Sequence, residues 1–147
     1  MNKYVMRAPN ADEFEIWYAL YHAFSVAVHE EVTREIGEEI WKWINDPKHP
    51  TKAIIAESDG QLAGFVHYRP FPRTLHGNEA CYLDDLYVLE DHRGSGLARQ
   101  LIDAVSAIAK ERGWTHVRWV TEEKNMRARA FYEKFAEPMT LITFKID

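Results

Sequence analysis

One stretch, residues 82–99, constrains the fold more than any other part of this 147-residue chain. Tyr82–Leu89 is rich in aromatic and aliphatic residues, which is typical of a buried strand. From Leu97 the apolar residues recur at helical spacing, so a helix begins there. Gly94 and Gly96 then lie at the helix N-terminus, where free N–H groups and the helix dipole favour phosphate. The pattern predicts either a phosphate-binding loop or a glycine-rich helix start without a ligand.

Two common nucleotide-binding patterns do not fit this loop. The dinucleotide fingerprint G-x-G-x-x-G needs a third glycine, and Arg99 stands where that residue belongs. The Walker pattern is excluded because the chain contains no Gly-Lys-Ser/Thr sequence. The sequence that does occur is Arg93-x-x-Gly96-x-Ala98.

Composition limits the classes of protein that remain. A chain of 147 residues with 46% hydrophobic and 28% charged residues predicts one globular domain over 1–147. A net charge of −5 argues against nucleic-acid binding, which needs a basic surface. We expect no membrane span and no signal peptide, and the single cysteine, Cys81, fits a cytoplasmic protein without an intrachain disulfide. Scattered histidines without ligand spacing predict no metal site.

The order of elements predicts a mixed α/β fold. A first strand is predicted at Tyr4–Arg7, followed by a helix that Asn10 caps, with Glu13 in a capping-box position. The Asp59-Gly60 pair predicts a hairpin. The other predicted elements are a helix over Thr33–Asn45, strands over Lys52–Glu57 and Gln61–Tyr68, a loop over Pro70–Asn78, a helix ending at Arg112, a strand over Thr115–Val120, a helix over Asn125–Phe135 and a last strand over Met139–Ile146.

The motif Arg93-x-x-Gly96-x-Ala98 resembles the R/Q-x-x-G-x-G/A motif of the GNAT superfamily of N-acetyltransferases. Asn125-x-x-Ala128-x-x-Phe131-Tyr132 is similar to a second segment of that superfamily. The superfamily has the predicted order β-α-α-β-β-β-α-β-α-β, with a splayed central strand. The resemblance therefore runs along the whole chain and implies an N-acetyltransferase that uses acetyl-CoA.

The resemblance also implies roles for individual residues. The loop would bind the pyrophosphate of the coenzyme, and Asn125 would bind its pantetheine arm. Tyr132 would donate a proton to the departing thiolate. The backbone of the central strand would meet pantetheine and the acetyl group. The implied coenzyme-binding residues, apart from Asn125, are Leu86, Tyr87, Val88, Arg93, Gly94, Ser95, Gly96, Leu97 and Ala98.

Two adjacent carboxylates, Asp84 and Asp85, are unexpected in an apolar strand. Successive strand residues face opposite sides of a sheet, so we expect the two to have different roles. Residues 82–88 resemble a stretch of polyamine acetyltransferases and of the yeast histone/polyamine subgroup, whose glutamate falls on Asp84. That resemblance implies that Asp84 is the catalytic base, acting through a water. Asp85 is a candidate contact with the substrate and the alternative base. In a further alternative, at least one of the two carboxylates only bonds nearby backbone or an arginine.

The predicted reaction is direct acetyl transfer from acetyl-CoA to a primary amine, namely a polyamine or another small cationic amine. Carboxylates after the first helix, including Glu30, would help to attract such a cation. The alternatives are a protein lysine or histone acetyltransferase and an acyl-CoA-binding sensor without turnover. The apolar last strand would leave an open edge, which predicts a homodimer.

Overall fold

The structure, a computed structural model, describes residues 3–147. Five strands form one sheet in the order in which they occur along the chain. The strands are β1 (Val5–Arg7), β2 (Lys52–Ser58), β3 (Gln61–Arg73), β4 (Asn78–Val88) and β5 (Val117–Arg118), and the helices are α1 (Phe14–Ala27), α2 (Arg34–Asn45), α3 (Leu97–Arg112) and α4 (Met126–Tyr132). Neighbouring strands are antiparallel except for the parallel pair β4–β5, which α3 connects by a crossover. The predicted mixed α/β fold is confirmed.

The sheet separates two hydrophobic cores. Because side chains alternate along a strand, Val66 packs on the side of α3 and Phe65 packs on the side of α1 and α2. Leu101 of α3 and Trp17 of α1 are fully buried at the centres of these two layers. The sheet is therefore the middle layer of three. Within residues 3–147, no helix has the length and apolarity needed to cross a bilayer.

Strands β3 and β4 are longer than predicted. The expected loop over Pro70–Asn78 shrinks to residues 74–77, because β3 runs to Arg73 and β4 begins at Asn78. Proline cannot donate a backbone hydrogen bond and is normally confined to sheet edges. Strand β2 starts at Lys52, opposite Tyr68, so the β3 prolines lie on an edge that β2 does not reach. A protruding two-stranded ribbon results.

The ends of three predicted elements also differ. Glu13, and not Asn10, is the N-cap residue of α1, and the Glu13 carboxylate accepts the backbone N–H of Asn10 at 2.6 Å. Strand β5 is reduced to Val117–Arg118, and the predicted helix over Asn125–Phe135 is α4, Met126–Tyr132. These differences lie at element ends, where sequence patterns are weakest.

The predicted last strand, Met139–Ile146, is wrong. In the described part of the chain these residues pair with no strand, and the segment is exposed. A strand needs a neighbour for its backbone groups, whatever its own sequence favours. The large apolar side chains that remain in solvent are Met139, Leu141, Ile142, Phe144 and Ile146.

Candidate active site

The loop between β4 and α3 has the geometry of an anion cradle. A short 3-10 turn, Glu90–His92, leads into it, and Gly96 is the N-cap residue of α3. Gly94 and Gly96 have φ values of 75° and 86°, a left-handed conformation that glycine adopts without strain. A Cβ atom at either position would meet nothing within 4 Å. The space in front of both backbones is therefore open to a ligand, and free N–H groups at a helix N-terminus are suited to an anion such as a pyrophosphate.

Side chains from distant parts of the sequence hold this loop in shape. The hydroxyl of the buried Tyr4 lies 3.0 Å from His92 Nδ1 and donates to Ser95 Oγ at 3.1 Å. The Ser95 hydroxyl donates to the carbonyl of His92. Arg93 Nε donates to the carbonyl of Val88 at 3.3 Å. The loop is thus attached to the residue that precedes β1 and to the end of β4.

Strand β4 has one open edge beside this loop. Strand β5 pairs with β4 only at Cys81 and Tyr82. Farther along, Leu86, Tyr87 and Val88 pair with β3 on one side, and none of residues 3–147 pairs with them on the other. The two parallel strands therefore separate after Tyr82, as the resemblance implied. The exposed backbone edge can accept an extended ligand by hydrogen bonding.

Helix α4 lies beside the same opening. Asn125 is its N-cap residue, and its Oδ1 accepts the backbone N–H of Ala128 at 3.1 Å, so the side-chain amide keeps its donors for a ligand. Tyr132 packs edge-on against Trp119 with ring centroids 5.3 Å apart. Burial raises the pKa of the Tyr132 hydroxyl above its ordinary value, so the group keeps its proton at neutral pH. It can therefore act as a proton donor.

Asp84 and Asp85 lie at a β-bulge, and the expectation that they face opposite sides is wrong. Asp85 pairs with His67 while Leu83 pairs with the next residue of β3, so Asp84 is the extra residue. Asp85 Oδ2 lies 2.9 Å from His67 Nδ1, and Asp84 accepts from Arg69 Nε at 3.1 Å. His67 and Arg69 are two residues apart and share one face of β3. The bulge therefore brings both carboxylates to that face.

A buried hydrogen-bond chain fixes Asp85. Trp17 Nε1 donates to His67 Nε2 at 3.1 Å, and this leaves the proton of a neutral imidazole on Nδ1, which donates to Asp85. His67 is 2% exposed, so this tautomer is enclosed by protein. Burial, followed by the charges of Asp85 and Asp84, raises the pKa of the nearby Tyr21 hydroxyl to about 12. The Asp85 side chain is thus held in place by a buried chain of hydrogen bonds.

Asp84 has a different environment. Its side chain is 31% exposed. Burial raises the pKa of its carboxyl above the ordinary value although Arg69 opposes the shift. Glu30, by contrast, lies exposed after α1 and is not in contact with either aspartate. The structure therefore brings Asp84 and Asp85 together and leaves Glu30 outside the pair.

Comparisons with known proteins agree with this geometry. Residues 15–136 match the family model described as the acetyltransferase (GNAT) family. That match covers most of the chain. This protein belongs to the GNAT family. It is an acetyl-CoA-dependent N-acetyltransferase.

Other GNAT proteins are similar over different lengths. The chain is 29% identical over 146 residues to a D-amino-acid N-acetyltransferase, HPA3, of Saccharomyces cerevisiae, covering 98% of this chain and 91% of that one. It is 30% identical over 91 residues to an L-ornithine N5-acetyltransferase, NATA1, of Arabidopsis thaliana, covering 62% and 40%. A ribosomal-protein-alanine N-acetyltransferase from Brucella melitensis biovar Abortus 2308 superposes with a TM-score of 0.83, 25% identity and 99% coverage of both chains.

Several residues of this GNAT site were not predicted from the sequence. Trp17, His67 and Arg69 orient the two aspartates, yet they belong to no local motif. A histidine in the apolar sequence of β3 does not predict a functional role by itself. Its side chain can be buried with a hydrogen-bond partner or exposed to solvent. Only the pairing of β3 with β4 reveals which partner it has.

Proposed function

We propose that the chain acetylates the primary amine of a small cationic molecule by direct transfer from acetyl-CoA. The observation that carries this proposal is the bulge at Asp84 and Asp85. It lies on β4 between the part paired with β5 and the open edge at residues 86–88. A cationic amine held at the bulge is adjacent to a thioester that extends along that edge. Polyamines belong to this class of acceptor, and the named relatives act on small amines too.

The two aspartates suit different tasks in this reaction. Asp85 is fixed by His67 and can hold an ammonium group in place. Asp84 has a raised pKa, which makes it the better proton acceptor, directly or through one water. An alkylammonium has a pKa of about 10.4, so its proton must be removed before the nitrogen can attack. We therefore assign Asp84 as the base and Asp85 as the contact with the substrate cation.

Proton transfer at both ends completes the reaction. The amine nitrogen bonds the acetyl carbon while the carbon–sulfur bond breaks. Asp84 takes one proton of the ammonium before the attack, and the Tyr132 hydroxyl supplies a proton to the sulfur. The nitrogen loses its second proton as the amide forms, and this proton restores the Tyr132 hydroxyl. Acetyl-CoA supplies the activated acyl group, and the backbone of Leu86, Tyr87 and Val88 lies where it can bind pantetheine. Holding the amine and the thioester together supplies roughly 7–11 kcal/mol of the barrier reduction.

A thiol-release assay with a panel of cationic, neutral and acidic amines tests the proposal. We expect turnover with cationic amines and little with acidic ones, because Asp84 and Asp85 repel an anion. A protein that binds CoA and releases no thiol with any amine would be a sensor. Turnover confined to lysines of a protein substrate would support the protein-acetylating alternative.

Asp84→Asn should lower kcat at pH 7 by about 10²-fold, the low end of what a positioned base contributes. The rate should recover in part as the pH rises, because more of the amine is then already neutral. In the unmodified enzyme, kcat should fall as acid protonates Asp84, at a pH above the ordinary pKa of an aspartate. Steady-state rates from pH 5 to pH 10 measure both effects.

Asp85→Asn is the matched control. Asparagine keeps an oxygen that can accept from His67, so the buried chain persists while the negative charge is lost. We expect a higher KM for the amine and an unchanged shape of the pH profile. If Asp84→Asn leaves the pH profile unaltered and Asp85→Asn changes it, the two assignments are reversed.

We also propose that the protein is a homodimer. The segment over residues 139–147 exposes Ile142 by 78%, Phe144 by 89% and Ile146 by 97%. Within residues 3–147, β5 has no strand on its outer edge. An apolar segment of a second copy can pair there and bury both surfaces. Light scattering at micromolar concentration should give twice the 17.2 kDa of one chain, and Phe144→Asp should lower that mass. A monomer mass for the unmodified protein would contradict this proposal.

A further inference from the structure

Three arginines, which we call the arginine cluster, lie on the sheet face that carries the two aspartates. Arg69 and Arg73 follow His67 on alternate positions of β3, and Arg118 is opposite Tyr82 in the β4–β5 pairing. Phe71, between the two β3 arginines, links the rows, with its ring centroid 6.2 Å from that of Tyr82. Helices α1 and α2 pack on residues farther along this face. The cluster is therefore reachable from solvent beside Asp84.

Two members of the cluster have no counter-charge. Arg69 is paired with Asp84. Neither Arg73 nor Arg118 has a carboxylate within 4.0 Å in the described residues 3–147. This is unusual in a chain with a net charge of −5, where carboxylates outnumber cationic side chains. Unpaired guanidinium groups that are partly buried attract an anion.

Arg118 is held in one orientation. Its guanidinium lies over the ring of Phe71, 5.0 Å from the centroid. Its Nε and Nη2 atoms lie 3.1 and 3.0 Å from His116 Nε2. Burial and the charges of Arg118 and Arg73 lower the pKa of His116, so its ring is neutral and accepts from Arg118. The remaining N–H groups of a guanidinium fixed in this way are preorganised for a carboxylate.

Arg118 and Asp85 form two poles on this face, while Arg69 already pairs with Asp84. The Arg118 guanidinium lies over Phe71, and His67 contacts Asp85. Phe71 and His67 are four residues apart on β3, which is about 13 Å at the usual rise of a strand. An amine and its own α-carboxylate are too close together to reach both poles. A chain of about four to six bonds, with a hydrogen bond at each end, has the required length.

We propose that the arginine cluster binds a carboxylate of the acceptor. The acceptor is then a diamino acid or a similar chain, acetylated on the amine remote from the carboxylate. This inference rests on the proposed function, since it places the reacting amine at Asp84 and Asp85. A polyamine has no carboxylate for the arginine cluster to bind. Its second ammonium group would lie near the arginines, which repel it.

Ornithine and 1,4-diaminobutane test this inference, because they differ only in the carboxylate. We expect ornithine to have a KM at least about tenfold lower, which corresponds to one charge-assisted hydrogen bond. Arg118→Gln should raise the KM for ornithine by about the same factor and leave kcat and the KM for 1,4-diaminobutane unchanged. Lys110→Gln, which removes an exposed cation from the last turn of α3, is the matched control and should change neither KM.

Several results would overturn the inference. In the unmodified enzyme, the KM for 1,4-diaminobutane could be equal to or lower than the KM for ornithine. The Arg118→Gln variant could leave the KM for ornithine unaltered, or it could change the KM of both substrates by the same factor. Calorimetry with CoA confirms that the variant is folded and gives a test without turnover. If no amine releases thiol, the proposed function fails. Binding of ornithine but not of 1,4-diaminobutane to the CoA complex would still support the carboxylate site, and equal or absent binding would refute it.

Discussion

Gly96→Asp should weaken CoA binding by about 10²-fold or more, which corresponds to about 2.7 kcal/mol. The aspartate would bring a negative charge and a Cβ atom into the open space before the loop. We propose that the pyrophosphate binds there. Two like charges about 4 Å apart repel by about 4 kcal/mol near a protein surface, which is enough for this loss. Calorimetric titration with CoA measures the effect.

Gly60→Asp provides the matched control. Gly60 also has a left-handed φ, 77°, and open space around it, but it lies in the hairpin between β2 and β3. Both variants carry the backbone strain of a left-handed aspartate, about 1–2 kcal/mol. Only Gly96→Asp should have a lower affinity for CoA. Equal affinities in the two folded variants would show that the loop is not the pyrophosphate site.

Tyr132→Phe should lower kcat by about 10²-fold, which is the contribution of a well-placed proton donor. The departing thiolate has an intrinsic pKa of about 8.5, so a donor that remains protonated at pH 7 stabilises it as the bond breaks. Burial keeps Tyr132 protonated in this range. The ring and its contact with Trp119 persist in phenylalanine, so the affinity for acetyl-CoA should change little.

Tyr68→Phe separates catalysis from packing. Tyr68 belongs to the same hydrophobic core as Tyr132, and burial raises its pKa in the same way. Tyr68 is on β3 and belongs neither to the glycine loop nor to α4. We expect its kcat to remain normal. If Tyr132→Phe also leaves kcat unchanged, Tyr132 has only a packing role.

Local patterns in the sequence predicted which elements carry the proposed coenzyme-binding residues. Gly94 and Gly96 lie between a strand and a helix that each have a clear period, so their place at a helix N-terminus follows from neighbouring residues. Asn125 and Tyr132 are placed by one short helix. No pairing between distant segments was needed for any of these positions.

The acceptor side depended on pairing that sequence patterns do not reveal. The bulge at Asp84 exists only in register with His67, 18 residues away in the chain, and it reverses the expected side of one carboxylate. Arg118 faces Tyr82 only because β4 and β5 are parallel neighbours. The strand predicted over Met139–Ile146 was wrong for a related reason. The local sequence favours a strand, but no neighbouring strand is there to pair with it.

The hydroxyl of Tyr4 reaches His92 and Ser95, across 88 and 91 residues of sequence. The glycine loop is therefore held in shape in part by Tyr4, the residue before β1. Packing of Tyr4 against the loop and binding of a ligand by the loop are thermodynamically linked. A ligand that binds only the docked form stabilises it by RT ln(1 + [L]/Kd), which is about 2.7 kcal/mol at 100 times Kd. Saturating CoA should consequently slow amide hydrogen exchange in β1, a strand that lies outside the glycine loop itself.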